Sequence, residues 1–287
     1  LPDAQGQWYF QNGPQRVYVD LENTPFVWRL QPDGRVWSHT GLEAQPAEAL
    51  LDEGIDCQGV STAAGVSSGV ALIVVDASSQ NAIVIVAGGN GQLLPASVQR
   101  FDALLQAADV IICQLEVPQA TVAHTLARGR ELGKTVILNP APATGPLPAH
   151  WFACIDYLIP NESEAGALTG LSVNDLPSAQ LAASRLLAMG VGKVIVTLGA
   201  QGALFADGQG FAHFPATRVR PLDTTAAGDT FNGAFLAAEL AGADFDAAVR
   251  FAHGAAALSV TRFGAQSSIP SKQEVDTFLL EQTAQGH

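Results

Sequence analysis

The chain has 287 residues, of which 48% are hydrophobic and 14% are charged, and this supplies enough apolar side chain for a sizeable core. Its formal net charge is -13, from 14 Lys and Arg against 27 Asp and Glu, so it lacks the basic footprint that nucleic acids and anionic membranes require. We therefore expect neither a nucleic-acid partner nor a membrane partner.

The cysteines and the start of the chain indicate a cellular compartment. Cys57, Cys113 and Cys154 are odd in number and lack metal-ligand spacing, so we interpret them as buried thiols in a reducing environment. No basic-then-apolar leader opens the sequence, and no apolar run approaches membrane-spanning length. These features predict a cytoplasmic protein.

The first fifty residues differ in composition from the rest. Residues 7–40 contain three of the four tryptophans, and they alternate short aromatic runs with Asn-Gly-Pro, Asn-Thr-Pro and Pro-Asp-Gly turn sequences. This pattern predicts a small β-meander with the tryptophans in its core. We treat residues 1–50 as a separate segment to which the residues assign no chemistry.

From about residue 68 the pattern becomes one of apolar strands and amphipathic helices. "SGVALIVVD" and "NAIVIVAG" predict a strand pair, and "DVIICQ", "KTVILNPAP", "IDYLIPNE" and "KVIVTLG" predict further strands. Helical patterns fall at 95–107, 118–133, 177–190, 228–241, 245–262 and 271–283. Nearly continuous apolar strands separated by helices indicate a doubly wound, mainly parallel α/β sheet with helices on both faces.

Polar residues follow these predicted strands directly. Since ligands bind beyond the carboxyl ends of the strands in such sheets, these residues are candidates for a site. They are Gln114, Glu116, Asn139, Asn161, Glu164, Thr197 and Gly199.

The stretch "DTTAAGDTFNGAF" places an acid, Asp229, in the first turn of a predicted helix. Ala226, Ala227 and Gly228 before it leave the backbone N–H groups uncovered, and such a turn holds an anion through its amides and the helix dipole. A carboxylate beside an anion fits a base that takes a proton from a hydroxyl attacking a phosphoryl group. The alternative is an ordinary capping acid with close helix packing.

This run resembles the carboxyl-terminal signature of the ribokinase-like (phosphofructokinase-B type) carbohydrate kinase family. Further similar stretches are "VILNPAPA" at 136–143, "LIPNESEAGALTG" at 158–170, "VIVTLGAQGAL" at 194–204 and "RFAHGAAALSVTRFGAQSSIP" at 250–270. The resemblance covers residues 51 to 284 and implies a kinase domain over 51–287. It also implies ATP-dependent phosphorylation of a small-molecule sugar, D-ribose to ribose 5-phosphate first, with Mg²⁺ and K⁺.

The resemblance implies roles for single residues. Asp229 would be the catalytic base and contact the sugar, with Glu116 on the sugar side of the cleft, and the amides of residues 226–228 would hold the developing charge. Asn161 and Glu164 would lie by the phosphates and Mg²⁺, and His253 near the adenine. The implied nucleotide loop consists of Thr197, Leu198, Gly199, Ala200, Gln201 and Gly202, with Gly228 also at the nucleotide.

The resemblance further implies that one turn and one loop enclose the potassium ion. The residues concerned are Asp223, Thr225, Ser259, Arg262, Gly264 and Ser268. Plainer alternatives stay open for several sites. These are a simple β-turn at Asp223, a solvent-facing acid at Glu116, a turn with a helix-start acid at Asn161 and Glu164, and a packed core histidine at His253.

The amino-terminal sugar-binding motifs of the family are missing. The family opens with Asn-x-Asp, a lid and a Gly-Gly-Lys-Gly-Ala-Asn motif, whereas the first fifty residues here contain no Gly-Gly pair and no lysine. "GGN" at 88–90 matches a different family position. The alternatives are therefore a catalytically impaired nucleotide-binding remnant, or a kinase for another sugar or a nucleoside. Family members pair through their lids, which leaves a homodimer open here.

Overall fold

The structure of the protein, a computed structural model, describes residues 8–12, 15–19, 27–30, 36–39, 50–51, 54–61, 63–75, 81–143 and 145–285. Two units divide the chain, Leu1–Ser97 and Val98–His287.

The amino-terminal unit is built from strands. They are β1 (Trp8–Asn12), β2 (Gln15–Val19), β3 (Val27–Leu30), β4 (Val36–His39), β5 (Val70–Val75) and β6 (Asn81–Val86). Antiparallel β1 and β2 form one sheet, and a second sheet has the order β4-β3-β5-β6. In the second sheet β3 and β5 are parallel and the other pairs antiparallel. The predicted pairing of β5 with β6 is confirmed.

Some predictions for this unit fall outside the described residues. They concern the Asn-Thr-Pro and Pro-Asp-Gly turns, most of the Asn-Gly-Pro turn, and the side chains of the tryptophans. The assignment of residues 1–50 as a separate segment stays a prediction.

The carboxy-terminal unit contains a six-stranded sheet. Its strands are β7 (Val110–Cys113), β8 (Thr135–Leu138), β9 (Tyr157–Leu158), β10 (Lys193–Thr197), β11 (Ala203–Asp207) and β12 (Gly210–Phe214). The order is β12-β11-β10-β9-β8-β7, in which β7 to β10 are parallel and β11 and β12 add an antiparallel hairpin. The predicted mainly parallel α/β sheet is confirmed.

Helices precede, connect and follow these strands. They are α1 (Pro95–Arg100), α2 (Asp102–Ala107), α3 (Gln119–Glu131), α4 (Ala149–Phe152), α5 (Glu162–Thr169), α6 (Leu176–Ala188), α7 (Ala227–Leu240), α8 (Phe245–Ser259) and α9 (Lys272–Gln285). Short 3-10 turns occupy Gly88–Gln92, Gly199–Gln201 and Gln266–Ser268.

The alternation of side chains along β8 shows that the sheet is covered on both faces. Val136 and Leu138 pack into one core cluster with Leu126 of α3 and Leu186 of α6. Ile137 between them packs into a second cluster with Phe235 of α7 and residues of α8. Successive strand residues face opposite sides of a sheet, so the predicted doubly wound arrangement with helices on both faces is confirmed.

Two local differences from the sequence predictions have physical causes. The single helix predicted over 95–107 is broken at Phe101, whose φ of -107° and ψ of 21° leave the helical region. The hairpin of β11 and β12 is not predicted. Its turn is an Asp-Gly turn in which the Asp207 carboxylate accepts from the N–H groups of Gln209 (2.7 Å) and Gly210 (3.2 Å).

A polar network fastens the last turn of α7 to the amino ends of two strands. The Tyr157 hydroxyl of β9 donates to Glu239 of α7 at 3.0 Å. Lys193 of β10 donates to the same hydroxyl at 2.8 Å, and its ammonium lies 4.6 Å from the centre of the tyrosine ring. The carboxyl end of α7 is therefore fixed at the edge of the sheet where the parallel strands begin.

Within the residues described, the structure contains no helix of the length and apolar character needed to cross a membrane.

Two leucines of α6 offer a matched test of the core. Leu186 is fully buried, whereas Leu181 is 59% exposed. Leu186→Ala should lower the free energy of unfolding by about 2–5 kcal/mol through lost burial and a cavity, while Leu181→Ala should change it by no more than about 0.5 kcal/mol. Urea unfolding followed by circular dichroism measures both. Equal losses in the two variants would contradict the assignment of α6 to the core.

Candidate active site

The parallel strands bring most of the polar strand-end residues to one edge of the sheet. Asn161 and Thr197, which follow β9 and end β10, form a parallel bridge that extends this pairing. Asn139, after β8, is buried, and its amide donates to the carbonyl of Ile159 at 2.8 Å. Asn139 thus joins neighbouring strand ends, and its hydrogen bond is structural.

The backbone at the start of α7 has an unusual conformation. Ala226 has φ 58° and ψ 15°, and it is the only non-glycine residue with positive φ among the residues that the structure describes. No side chain caps the helix. A left-handed alanine costs on the order of 1–3 kcal/mol and such residues cluster at functional sites. The Ala227 N–H donates to the carbonyl of Thr224 at 3.3 Å, so the N–H groups of Gly228 and Asp229 are the ones left for water or a ligand.

The space in front of this turn is open. A Cβ added to Gly228 would meet no atom within 4 Å, and Asp229 is exposed to solvent. Behind the turn, the backbone N–H and the hydroxyl of Thr230 both donate to the carbonyl of Ala226, at 2.9 and 2.8 Å. The turn is thus held on one side by contacts within the protein and is accessible to solvent on the other.

Three carboxyl groups meet near this helix start. Burial of part of its side chain, and then the negative charge of Asp229, raise the pKa of Glu116, although the residue as a whole is exposed. Burial raises the pKa of Glu164, a hydrogen bond from Asn161 opposes this, and Asp229 again adds to the rise. Asp229 therefore acts electrostatically on acids from two other elements, and the cluster favours cationic ligands.

The acids do not by themselves complete a metal site. In the described part of the chain, no group of three or more His, Cys, Asp or Glu side chains is arranged to hold a metal ion. Mg²⁺ in nucleotide sites commonly uses one or two carboxylates with substrate phosphates and water. The acid cluster suits that kind of binding.

Asn161 and Glu164 form a reciprocal cap on α5. The Asn161 side chain accepts from the Glu164 N–H at 2.8 Å, and the Glu164 carboxylate accepts from the Asn161 N–H at 2.9 Å. Their contacts are those of a helix start, which was the plainer alternative, and the cap places Glu164 where Asp229 affects it. A role at the phosphates stays a prediction for both.

The predicted nucleotide loop, Thr197–Gly202, is a tight turn between β10 and β11. The Leu198 N–H donates to the Gly202 carbonyl at 2.7 Å, and Gly199 and Gly202 have φ of 50° and 98°. A Cβ on Gly202 would overlap the carbonyl oxygen of Phe214. Only glycine fits there, because the loop lies directly against the end of β12.

His253 is buried on α8, 9% exposed, with its ring edge-on to Phe231 at 5.2 Å between centres. Burial, and to a smaller extent the charge of His213, lower its pKa to about 4, so it is neutral at pH 7. Among the described residues its Nε2 has no hydrogen-bond partner, and the same holds for the buried side-chain oxygen of Asn232 on α7. An unpaired buried nitrogen requires an explanation such as a ligand or water.

The turn at Asp223 is fastened to the loop after α8. Asp223 is buried, and its carboxylate accepts from the N–H and hydroxyl of Thr225, at 3.1 and 2.7 Å, and from the N–H of Gly264 at 3.0 Å. Leu222 and Asp223 also donate their backbone N–H groups to the carbonyl of Val260. These contacts bring half of the six residues predicted to enclose a cation directly together.

The other three of those residues lie at the end of α8 and on the loop that follows it. Ser259 and Ser268 are fully buried, and their hydroxyls donate to the carbonyls of Ala256 and Ala265. Arg262 pairs with Glu274 of α9 at 2.6 Å. A carboxylate and loop carbonyls are ligands that a monovalent cation accepts, so the residues fit such an ion.

His213 is a further residue in contact with the predicted nucleotide loop, and the sequence analysis does not select it. It lies on β12, and its Nε2 is 2.7 Å from the carbonyl oxygen of Gln201 in the nucleotide loop. The sequence signal for this contact is "DGQGFAHF". Its Asp-Gly turn marks a hairpin, and the hairpin carries His213 back toward the loop.

Comparisons with known proteins show what the chain is similar to. A model of the pfkB family of carbohydrate kinases matches residues 44–272. The ribokinase of Haemophilus influenzae is 42% identical over 232 residues, which cover 80% of this chain and 75% of that protein. The deoxyribokinase of Salmonella typhi is 40% identical over 213 residues, with coverage of 74% and 70%.

Solved structures give the same result. The structure of Arabidopsis thaliana ribokinase complexed with ribose and ATP has a TM-score of 0.77 to this chain at 28% identity, and the match covers 88% of this chain and 80% of that one.

The environment of His253 predicts a pH dependence of stability. Its folded pKa of about 4 lies below the ordinary value of 6.5, so between these values the unfolded chain takes up a proton that the folded chain does not. As the pH falls from 6.5 toward 4, the free energy of unfolding should therefore fall, by up to about 3 kcal/mol from this residue. His253→Asn should remove that contribution.

Urea unfolding at a series of pH values from 7 to 4.5 measures this effect as the difference between wild type and variant. His150→Asn, at an exposed position on α4, is the control and should keep the wild-type pH profile. Parallel profiles for wild type and His253→Asn would contradict the prediction.

Proposed function

This chain belongs to the pfkB family of carbohydrate kinases, and we propose that it transfers the γ-phosphoryl group of ATP to D-ribose, giving ribose 5-phosphate. The observation that carries the proposal is the start of α7, where an exposed Asp229 follows an uncapped, left-handed turn that is open to solvent. The 42% identity to a ribokinase over most of the chain supports ribose as the acceptor.

In the proposed reaction Asp229 accepts the proton of the attacking sugar hydroxyl. The oxygen of that hydroxyl then bonds to the γ-phosphorus as the bond to the leaving ADP oxygen breaks. The amides at Ala226, Ala227 and Gly228 would donate to the charge that develops on the phosphoryl oxygens, for which the Ala227 N–H would give up its 3.3 Å bond to the Thr224 carbonyl. The dipole of α7 has the favourable sign. Phosphoryl transfer depends mainly on position and electrostatics, which this rigid turn supplies.

The nucleotide would occupy the surface formed by the loop Thr197–Gly202 and the buried His253. Support comes from the tight, glycine-dependent loop and from the unpaired Nε2 of the histidine. Asn161 and Glu164 would lie beside the phosphates. Bound with ATP, Mg²⁺ would neutralise phosphate charge, and the acids around Asp229 would hold it through phosphates and water.

We also propose a potassium ion at the turn of Asp223 and the loop through Ser259, Arg262, Gly264 and Ser268. The carboxylate of Asp223 already ties this loop to the turn that precedes α7. An ion there would fix the conformation of the anion-binding turn without contacting the substrate.

The compartment we propose is the cytoplasm. Cys113 and Cys154 are free thiols in the structure, and free thiols persist in a reducing environment.

Deoxyribose is a second candidate acceptor. The deoxyribokinase of Salmonella typhi is nearly as similar as the ribokinase of Haemophilus influenzae, at 40% and 42% identity. The charge of Asp229 raises the pKa of Glu116, and Glu116 is our candidate for contact with sugar hydroxyls.

Asp229→Asn should lower kcat by about 10²–10⁴-fold because the base is lost, while ATP binding is retained. ADP release by purified protein with ATP, Mg²⁺ and K⁺ measures this with ribose, with 2-deoxyribose and without sugar. The control is Asp246→Asn, which alters an exposed acid in the first turn of α8 and should keep kcat.

Sugar-dependent turnover that survives in Asp229→Asn would exclude this residue as the base. If the wild type binds ATP yet releases no ADP with either sugar, the proposal fails, and the chain is a nucleotide-binding remnant or acts on another acceptor.

Potassium should raise the rate by ordering the turn before α7. With K⁺ replaced by tetramethylammonium, which is too large for such a site, we expect a several-fold lower kcat with little change in the affinity for ATP. A titration of KCl at constant ionic strength, with ADP release as the readout, measures the effect. Equal kcat in the two salts would contradict the proposed ion site.

A further inference from the structure

His213 connects the last strand of the sheet to the predicted nucleotide loop. It lies on β12 opposite Leu204 of β11, and its Nε2 is 2.7 Å from the carbonyl oxygen of Gln201. A backbone carbonyl can only accept, so Nε2 must carry a proton and donate it. The contact therefore fixes the tautomer of a neutral His213 as well as the position of the Gln201 peptide.

The loop can reach this histidine because glycine stands at position 202. At φ 98° a side chain on Gly202 would overlap the Phe214 carbonyl oxygen, and it would lie 2.7 Å from the N–H nitrogen of Ala216. The loop backbone and the end of β12 are thus in direct contact. The loop is closed internally by the bond from Leu198 to Gly202, and His213 adds a bond to an element outside it.

The charge of His213 also contributes, after burial, to the low pKa of the buried His253 of α8. Among the described residues the Nε2 of His253 has no hydrogen-bond partner, and His253 and the loop together form the proposed nucleotide surface. His213 therefore contacts the loop part of this surface at Gln201 and acts electrostatically on its other part, His253.

We propose that His213 is a positioning residue for the nucleotide: by holding the Gln201 carbonyl, it fixes the loop Thr197–Gly202 against β12. This inference rests on the proposed kinase function. His213 acts through the loop and contacts none of the reacting groups, so its loss should affect nucleotide binding and leave phosphoryl transfer and the sugar site unchanged.

Two substitutions separate the hydrogen bond from the bulk of the side chain. His213→Leu removes the donor, and it should raise the Kd and the KM for ATP by about three- to tenfold, the equivalent of one lost hydrogen bond. The KM for ribose and kcat at saturating ATP should stay within about twofold. His213→Gln restores an N–H donor of similar reach, and it should return the ATP affinity toward that of the wild type.

The control is His150→Leu, which makes the same substitution at an exposed histidine on α4 outside the proposed site. Calorimetry with ATP gives the Kd, and ADP release gives both KM values and kcat. Hydrogen exchange of the amides of residues 198–202 reports the loop directly, and faster exchange is expected in His213→Leu alone.

The outcomes distinguish this inference from the function on which it rests. If the wild type binds ATP and His213→Leu binds it equally well, the positioning role is overturned while the kinase proposal stands. Equal rises in the KM for ATP and the KM for ribose, not reversed in His213→Gln, would show a general loss of structure and overturn it too. A wild type that binds no nucleotide would overturn both.

Discussion

The left-handed backbone of Ala226 is the constraint on which the rest of the site depends. This conformation costs free energy, and two sets of contacts around it offset that cost. Thr230 holds its carbonyl from within α7, and the turn just before it is fixed by the carboxylate of Asp223, which joins Thr225 to Gly264. With the backbone held in this way, the first N–H groups of α7 stay clear of any side chain, and Asp229 projects beside them. An ordinary capped helix would fill the same space with its own cap.

The sheet delivers the other groups to this helix start. Because β7 to β10 are parallel, the residues that follow them meet at one edge, and Glu116, Glu164 and the nucleotide loop come from three different strands. The two core clusters hold helices against both faces, so neither the strands nor α7 can shift without exposing apolar surface. The carboxylates are thereby kept close enough for Asp229 to affect the pKa of both glutamates. Repulsion among these three carboxylates is weakest when cations are bound in the same cleft.

The sequence was sufficient for the features that depend on periodicity and on strand ends. The apolar runs predict β7 to β10 and the two-sided cover, and the strand-end rule selects Glu116, Asn161 and Thr197. Other features could not be predicted, because they depend on contacts between distant residues. An alanine carries no signal for positive φ, so the conformation of Ala226 is decided by its neighbours. His213 bonds to a backbone carbonyl, which has no sequence identity, across a hairpin that the pattern did not predict. Phe101 breaks a helix that its apolar spacing would continue.

The network of Tyr157, Lys193 and Glu239 at the carboxyl end of α7 has a consequence for the chemistry at the amino end of this helix. The helix is 14 residues long, about 21 Å at 1.5 Å per residue, and Glu239 in its last turn is bound to Tyr157, which in turn is bound to Lys193. Contacts at both ends of α7 oppose translation of the helix along its axis and rotation about it. The orientation of the Asp229 carboxylate toward a sugar therefore depends in part on Tyr157, which contacts no substrate in the proposed reaction. A shift of α7 at Tyr157 would misalign the base without changing any residue of the cleft.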